Sequence, residues 1–317
     1  MQDRIYQLKL IQAIRNFFNQ NDFLDVLTPP AVENPGMESH IHPFQLYSLH
    51  HKQTAPLYLH TSPEFMMKEL LRSSDLENIY TLTYCFRDEP LSDIHRSQFI
   101  MLEWYRKNAH YEKIMEDTKN LIDYCQSFFE QEKILKNKIY SFPQVTIQDL
   151  FYEYLNFNIL EFLTKNDLKQ KIQKDFKDVP LPSVDCEWDD YYFLLFLNKI
   201  EPKLAKIPYI LIKEFPAPLA ALSTLKSSDN RVAERFEVYL SGIEICNCFN
   251  ELTSYQEQIH RFQKQAKLKK DLYQYELPWP KRFLKTLELG LPKSSGIALG
   301  VERLYLALSK TQSPFFD

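Results

Sequence analysis

The first group of residues that could do chemistry lies at the end of a predicted strand. Phe86-Arg87-Asp88-Glu89 closes an extended run from Ile79, and a polar loop leads to an antiparallel return strand over Phe99 to Arg106. The rigid donor fork of Arg87 could clamp an α-phosphate and stabilise charge that builds up during adenylation. Glu89 could accept a hydrogen bond from adenine, and Phe99 could stack on its ring. A surface ion pair at a hairpin is the simpler explanation if this sequence stood alone.

The second group is a set of carboxylates on two neighbouring predicted strands, Phe236 to Leu240 and Ile243 to Phe249. Crowded carboxylates repel one another unless cations lie between them, which points to Mg²⁺ and to a substrate ammonium group. A solvated acidic hairpin is the alternative. The interleaved apolar side chains weaken it, because they require one buried face. The polar members of this group are Glu237, Glu244, Asn247 and Glu251.

The third group spans Ser295 to Arg303, where a predicted strand turns into a helix from Val301 to Ser309. Two of the five glycines, Gly296 and Gly300, lie here. Glycine lets a backbone approach a ligand closely, and Arg303 in the first helical turn could face a triphosphate. Ordinary packing of a strand against a helix also explains this spacing.

The elements that must position these groups predict a mixed α/β (α+β) fold around an antiparallel sheet. An amphipathic helix opens the chain, and an extended segment follows it. A helix near residue 62 has Ser62 as its expected N-cap and Pro63 as its first residue. Residues 111–203 read as a helical insertion within a single domain of residues 1–317. Further expected elements are a helix over Arg4 to Asn19, an extended stretch over Val26 to Pro30, a strand over Pro56 to His60, a core helix over Tyr191 to Leu197 and a strand over Pro208 to Lys213.

Composition limits the class of protein. A chain of 317 residues with 44% hydrophobic content can bury a substantial core. A net charge of -4 disfavours a broad nucleic-acid-binding surface. Five cysteines, an odd number, fit a reducing compartment. No window approaches the ~18 apolar residues that span a bilayer, so we expect a soluble cytoplasmic protein with no membrane partner.

In this order, the three groups resemble the motifs of class II aminoacyl-tRNA synthetases, with Pro29 at the motif 1 proline. The resemblance covers nearly the whole chain. Within the class, the sequence is most similar to lysyl-tRNA synthetases, and nearer still to their truncated paralogues, the elongation factor P lysyltransferases. The segments that carry it are HTSPEFMMKELL, CFRDE, FIMLEWYR, RVAERFEVYLSGIE, NELT and SGIALGVERL.

The resemblance implies a role for each matching residue. Glu64 would bind the α- or β-amino group of the substrate. The side chain and distal ammonium of the substrate would be held by Glu103, Tyr105 and Glu251. The catalytic residues would be Arg87 and Arg303, the Mg²⁺ ligands Glu237 and Glu244, further substrate contacts Ser62, Asn247 and Ala298, and the ATP contacts Arg87, Asp88, Glu89, His95, Arg96, Phe99, Glu244, Ile245, Gly300 and Arg303.

The sequence departs from the family pattern beside the expected nucleotide and substrate. Arg96 replaces the asparagine that follows the motif 2 histidine, Cys248 replaces a glycine, and Asp88-Glu89 replaces an asparagine-glutamate pair. Their effects stay open. Lysyl-tRNA synthetases carry glycine where this chain has Ala298, and one methyl group can disfavour a ligand by about 1–3 kcal/mol. We therefore expect a preference for (R)-β-lysine over L-α-lysine.

The expected function is ATP-dependent activation of a lysine and its transfer to a lysine of elongation factor P. A full lysyl-tRNA synthetase carries an anticodon-binding OB-fold of about a hundred residues; we expect none here, so tRNA is not the expected acceptor. One alternative is a truncated synthetase paralogue that charges tRNA or another acceptor. The other is a non-catalytic regulatory paralogue, which would lack a motif arginine or a metal carboxylate, yet none is lost.

Two surface features complete the expectations. Motif 1 builds a two-fold interface in this class, so we expect a homodimer through Leu24 to Pro30. A basic stretch on a predicted helix is either a solvated face or a dock for an acidic acceptor, and the sequence leaves both open. Its members are His260, Arg261, Lys264, Lys267, Lys269 and Lys270.

Overall fold

Helices and mostly antiparallel strands interleave along the chain. The computed structural model describes residues 2–50, 55–90, 92, 94–182 and 186–310. The helices are α1 (Gln2–Gln20), α2 (Glu64–Leu70), α3 (Tyr111–Gln131), α4 (Ile147–Leu155), α5 (Lys165–Asp175), α6 (Trp188–Leu195), α7 (Glu201–Leu204), α8 (Tyr255–Tyr273), α9 (Lys281–Glu288) and α10 (Val301–Leu308). The strands are β1 (Leu24–Asp25), β2 (Ala31–Val32), β3 (Gln45–Leu46), β4 (Leu57–Leu59), β5 (Asn78–Phe86), β6 (Gln98–Lys107), β7 (Gln144–Thr146), β8 (Ile210–Pro216), β9 (Leu225–Lys226), β10 (Asp229–Leu240), β11 (Ile243–Asn250) and β12 (Ser294–Gly300).

These elements form two compact units. The first comprises residues 1–135 and 251–317, and the second comprises residues 136–250. Helix α3, which lies in the predicted insertion 111–203, belongs to the first unit. That residues 1–317 act as a single domain stays a prediction.

The first unit is organised around strands β5, β6 and β12, which pair antiparallel, with β1 parallel to β5. Phe18 of α1 stacks on Tyr80 with ring centroids 4.7 Å apart and contacts Trp104 at 5.3 Å. Successive side chains of a strand point to opposite faces. Tyr80 and Trp104 therefore face α1, whereas Glu103 and Tyr105 lie on the other face of the sheet.

The second unit packs helices on strands that are mostly antiparallel. Strands β8, β10 and β11 pair antiparallel, and β7 pairs parallel with β8. Aromatic side chains fill its core: Tyr192 stacks on Phe151 at 5.4 Å and on Trp188 at 5.5 Å. The predicted core helix over Tyr191 to Leu197 is confirmed up to Leu195, after which the chain continues as a π-helical turn.

The predicted mixed α/β fold is confirmed, as are the opening helix, the hairpin of β5 and β6 and the final strand and helix. Two local predictions were wrong in detail. Helix α2 begins at Glu64, so Pro63 and not Ser62 is its N-cap; the Ser62 hydroxyl accepts a hydrogen bond from the Glu64 amide at 3.2 Å. The stretch from Val26 to Pro30 is not assigned as a strand: the Val26 amide donates to the Tyr80 carbonyl oxygen and the Pro30 carbonyl oxygen accepts from the His60 amide, while Pro29 and Pro30 have no amide hydrogen to donate.

Candidate active site

One face of strands β6 and β12 brings predicted substrate residues together. In their antiparallel register Gly296 lies opposite Tyr105, and Ala298 lies opposite Glu103. Residues directly opposite one another in such a pair share a face of the sheet. The pairing of the two strands therefore places Ala298 beside Glu103, and both are predicted substrate contacts.

Gly296 is required by close packing. A Cβ atom at this position would lie 2.0 Å from Cε1 of Tyr105 and 2.7 Å from Oε1 of Glu251. The Tyr105 hydroxyl donates a hydrogen bond to Oε2 of Glu103 at 3.2 Å, and both side chains are almost fully buried. The glycine thus lets an aromatic ring and a carboxylate approach the strand backbone.

A lysine of the chain itself, which was not among the predicted site residues, lies among the carboxylates. The Nζ atom of Lys68 is 2.6 Å from Oε1 of Glu64 and 2.6 Å from Oε2 of Glu251. The side chains of Lys68 and Glu251 are each 1% exposed. Lys68 follows Glu64 by four residues on α2, and such residues share a helix face. A lone lysine after the apolar Phe65-Met66-Met67 was the available signal.

Burial and mutual repulsion shape the protonation of the acidic cluster, which we define as Glu64, Glu103 and Glu251. Burial raises the pKa of Glu251 to about 8 and that of Glu103 well above its usual range, and it also raises the pKa of Glu64. The charge of Lys68 opposes the rise in all three. Burial alone would lower the pKa of Lys68, but the charges of Glu251 and Glu64 outweigh it and raise that pKa. The cluster therefore favours additional cations.

Arg87 and Phe99, two of the predicted ATP contacts, lie against each other. The Arg87 guanidinium carbon is 5.2 Å from the centroid of the Phe99 ring, and its Nε donates to the Thr61 carbonyl oxygen at 3.4 Å. A guanidinium over an aromatic face is attracted by the ring quadrupole. The arginine at the end of β5 is thereby oriented, while the stacking of adenine on Phe99 stays a prediction.

Arg303 contacts His95, another of the predicted ATP residues. Nη2 of Arg303 is 2.9 Å from Nε2 of His95, whose Nδ1 is 2.8 Å from the Ser92 hydroxyl. Burial and the charge of Arg303 lower the pKa of His95, which favours the neutral ring. Glu302, which was not among the predicted site residues, accepts a hydrogen bond from the Ile100 amide at 2.7 Å and so fixes the start of α10 against β6.

Three further predicted nucleotide residues, Asp88, Glu89 and Arg96, lie between β5 and β6. The Asp88 amide donates to the His42 carbonyl oxygen at 2.8 Å, and Arg96 donates to that of Ser92 at 2.9 Å. The charge of Glu89 acts on His95 and raises its pKa against the larger effects. A Cβ atom at Gly300 would make only ordinary contacts, the nearest at 3.5 Å to Arg303. Their roles toward ATP stay predictions.

The predicted metal carboxylates and Asn247 belong to the unit of residues 136–250. Glu237 of β10 lies opposite Asn247 of β11. Arg235 donates to Oε1 of Glu237 at 2.5 Å and to Asn247 at 2.9 Å, and the Tyr239 hydroxyl donates to Oε2 of Glu237 at 2.8 Å. Burial, opposed by Arg235 and aided by the charge of Glu244, raises the pKa of Glu237 to about 7.

The fit of this pair to Mg²⁺ rests on its chemistry. Hard carboxylate oxygens suit the ion, which usually takes only one or two protein carboxylates together with substrate phosphates. The repulsion of Glu237 by Glu244 is what a cation would relieve. Among the described residues no group of three or more His, Cys, Asp or Glu side chains could hold a metal. Ile245 is buried, with 1% of its surface exposed, and its contact with ATP stays a prediction.

The basic stretch is not one continuous solvated face. Lys269 is buried, and its Nζ donates to the Ile41 carbonyl oxygen at 2.8 Å. Arg261 pairs with Glu257 at 2.8 Å, and Lys270 pairs with Glu276 at 2.6 Å. The exposed remainder of the stretch is His260, Lys264 and Lys267. No helix in the described ranges is both long and apolar enough to cross a membrane.

Comparison with known proteins defines the class. Residues 2–313 match the family described as tRNA synthetases class II (D, K and N). The chain therefore belongs to this class II synthetase family, in agreement with its fold and with the resemblance of its motifs.

Similar proteins within that family share one name. The chain is 34% identical over 301 residues to the elongation factor P–(R)-β-lysine ligase of Proteus mirabilis. The alignment covers 94% of this chain and 88% of the relative. Identity is 35% over 304 residues to the ligase of that name from Edwardsiella ictaluri, covering 95% and 89%. It is 31% over 310 residues to that of Haemophilus influenzae, covering 96% and 90%.

Proposed function

We propose that this protein is a ligase that activates (R)-β-lysine with ATP and transfers it to a lysine side chain of elongation factor P. The shared name of relatives that align along nearly the whole chain supports this activity. The single structural observation that carries the substrate class is the buried acidic cluster. Lys68 pairs with Glu64 and Glu251, so one cation faces three acidic groups, and their full ionisation favours a cationic substrate.

The reaction has two steps. A carboxylate oxygen of the amino acid attacks the α-phosphorus of ATP, and the bond to pyrophosphate breaks. The amine of the acceptor lysine then attacks the acyl carbon, the bond to AMP breaks, and the amine loses a proton as the amide forms. Arg87 and Arg303 would stabilise charge on the phosphates, because fixed donors act most strongly where charge develops.

The residues of the acidic cluster would bind the two ammonium groups of the substrate. Glu64 takes the amino group near the carboxyl, whereas Glu103 and Glu251 take the distal one, with Tyr105 holding Glu103 in place. Glu237 and Glu244 would hold Mg²⁺, which neutralises phosphate charge when bound.

Pyrophosphate exchange tests the activation step. Wild-type protein should exchange labelled pyrophosphate into ATP with (R)-β-lysine more efficiently than with L-α-lysine, measured as kcat/KM. Ala298→Gly, which removes the methyl group beside Glu103, should narrow that ratio by about tenfold, because one methyl group in a packed pocket discriminates by about 1–3 kcal/mol. Preference for L-α-lysine in the wild type would contradict the isomer assignment alone.

The acceptor is tested separately. Incubation with elongation factor P, ATP and (R)-β-lysine should increase the intact mass of the factor by one lysyl residue without tRNA. An unmodified factor alongside charged tRNA would instead support the truncated synthetase.

We also propose a homodimer through Leu24 to Pro30. Leu27 is 92% exposed and Leu24 is 53% exposed, and a subunit interface here would cover both apolar side chains. Light scattering should give twice the monomer mass at micromolar concentration. Leu27→Asp should give the monomer mass, and a monomeric wild type would refute the proposal.

A further inference from the structure

We infer that Lys68 is a built-in counter-ion of the substrate pocket: it orients Glu64 and Glu251, and its charge sets the pocket to accept an amino acid with two ammonium groups. This inference rests on the proposed function for the identity of the substrate. It assigns Lys68 the part of a positioning and specificity residue, one that acts through the carboxylates and not on the reacting atoms.

The geometry places Lys68 between two acids that come from distant parts of the chain. Glu64 lies on the same helix, and Glu251 lies just before α8. One oxygen of each carboxylate is 2.6 Å from Nζ. The other oxygen of Glu251 faces Gly296, on the strand face that carries the predicted substrate residues. Lys68 therefore contacts one side of Glu251 and leaves the other side turned toward that face.

The charges balance in a way that selects the substrate. With all groups ionised, the three carboxylates of the acidic cluster and one ammonium leave two negative charges. A lysine isomer brings two ammonium groups into this pocket, whereas leucine or aspartate brings one. Uncompensated charge in a buried site is costly, so a substrate with a single ammonium group would leave one carboxylate without a cation.

Other groups around Lys68 do not replace it. Glu38 acts on Glu64 and raises its pKa, and Tyr105 hydrogen-bonds Glu103. On the α9 side the Phe283 ring centroid lies 5.8 Å from Nζ. Without Lys68 the carboxylates would keep their mutual repulsion and lose the cation that opposes it, so about one more of them than in wild type would hold a proton until substrate arrives.

The test compares Lys68→Met with Lys269→Met, which also removes a buried lysine but one whose Nζ donates to a carbonyl oxygen and a tyrosine hydroxyl. Calorimetric titration with (R)-β-lysine in two buffers of different ionisation enthalpy counts the protons released on binding. We expect Lys68→Met to release about one proton more than wild type. The pH of half-maximal kcat/KM should also rise by about one unit or more, since a nearby opposite charge shifts a carboxyl pKa by about 1–3 units. Lys269→Met should change neither quantity.

A second measurement applies if Lys68→Met folds too poorly for the binding experiments. A carboxyl group whose pKa is raised in the folded state makes the folded protein less stable as the pH rises above the group's ordinary pKa of 4.5. The melting temperature of Lys68→Met should therefore fall relative to wild type between pH 5 and pH 8. A deficit that is constant across this range, or an unchanged proton count in a folded variant, would overturn the inference. If wild type activates no lysine isomer, the proposed function fails, while the pH dependence of melting still tests Lys68.

Discussion

Gly296 and Tyr105 lie opposite each other in β12 and β6, and the tyrosine ring fills the space that any side chain at position 296 would need. The same space borders the Glu251 carboxylate. One glycine thus allows an aromatic ring and an acid to meet at the strand backbone, and this contact shapes the wall of the proposed substrate pocket.

Replacing this glycine should disturb the pocket and the fold together. Gly296→Ala should lower the free energy of unfolding by about 1–3 kcal/mol, because an overpacked core forces side chains out of place. It should also raise the KM for lysine more than the KM for ATP. Gly300→Ala is the steric control for stability, since its new methyl group meets only ordinary contacts. Equal loss of stability in the two variants, measured by denaturant unfolding, would argue against the packing explanation.

The two motif arginines should be needed for activation. Arg87→Ala and Arg303→Ala should each reduce pyrophosphate exchange by about 10²–10³, the usual cost of removing one charge-stabilising donor. Arg231→Ala removes an exposed arginine that pairs with Asp229 and should stay near wild type. Near wild-type exchange in both motif variants would contradict the adenylation chemistry proposed for this site.

Glu251 should be needed for binding of the amino acid and not for binding of ATP. Glu251→Gln leaves Lys68 with one carboxylate partner and removes a charge that the substrate ammonium needs, and breaking a buried pair costs roughly 3–5 kcal/mol. Exchange with lysine isomers should be lost while ATP binding, followed by calorimetry, persists. Asp117→Asn breaks another buried pair, with Arg106 at 2.6 Å. The Asp117→Asn control should lower stability and leave the KM for lysine unchanged. If Asp117→Asn impaired the use of lysine as much as Glu251→Gln does, the proposed specific role of Glu251 would be contradicted.

Lys269 should make the free energy of unfolding depend on pH in the alkaline range. Burial lowers its pKa to about 8 from an ordinary value of 10.5. A group whose pKa is depressed in the folded state contributes stability above the ordinary pKa and loses it as pH falls through the folded value. The free energy of unfolding of wild type relative to Lys269→Met should therefore rise between pH 8 and pH 10.5. A flat difference in urea denaturation over this range would show that Lys269 is protonated in the folded protein.

The amino-acid sequence by itself determined the order and type of the elements near the site. The largely apolar run from Phe99 to Arg106, which follows a polar loop, predicted a strand. The two-residue period of a strand is a local property, and it places Trp104 and Glu103 on opposite faces. The turn from β12 into α10 was readable for the same reason, and so was the place of Arg303 in the first helical turn. The motif residues carried the resemblance to class II synthetases, which the family match confirms.

Tertiary structure alone decided which of these residues touch. The local sequence does not predict that Lys68 pairs with Glu251 or that the Tyr105 ring occupies the space at Gly296. Nor does it predict that Lys269 turns inward from an otherwise basic helix face. These contacts join segments far apart in the chain, and their energies come from burial and close packing that exist only once the elements have assembled. Periodicity places a side chain on a face, whereas its partner across that face depends on how the elements pack together.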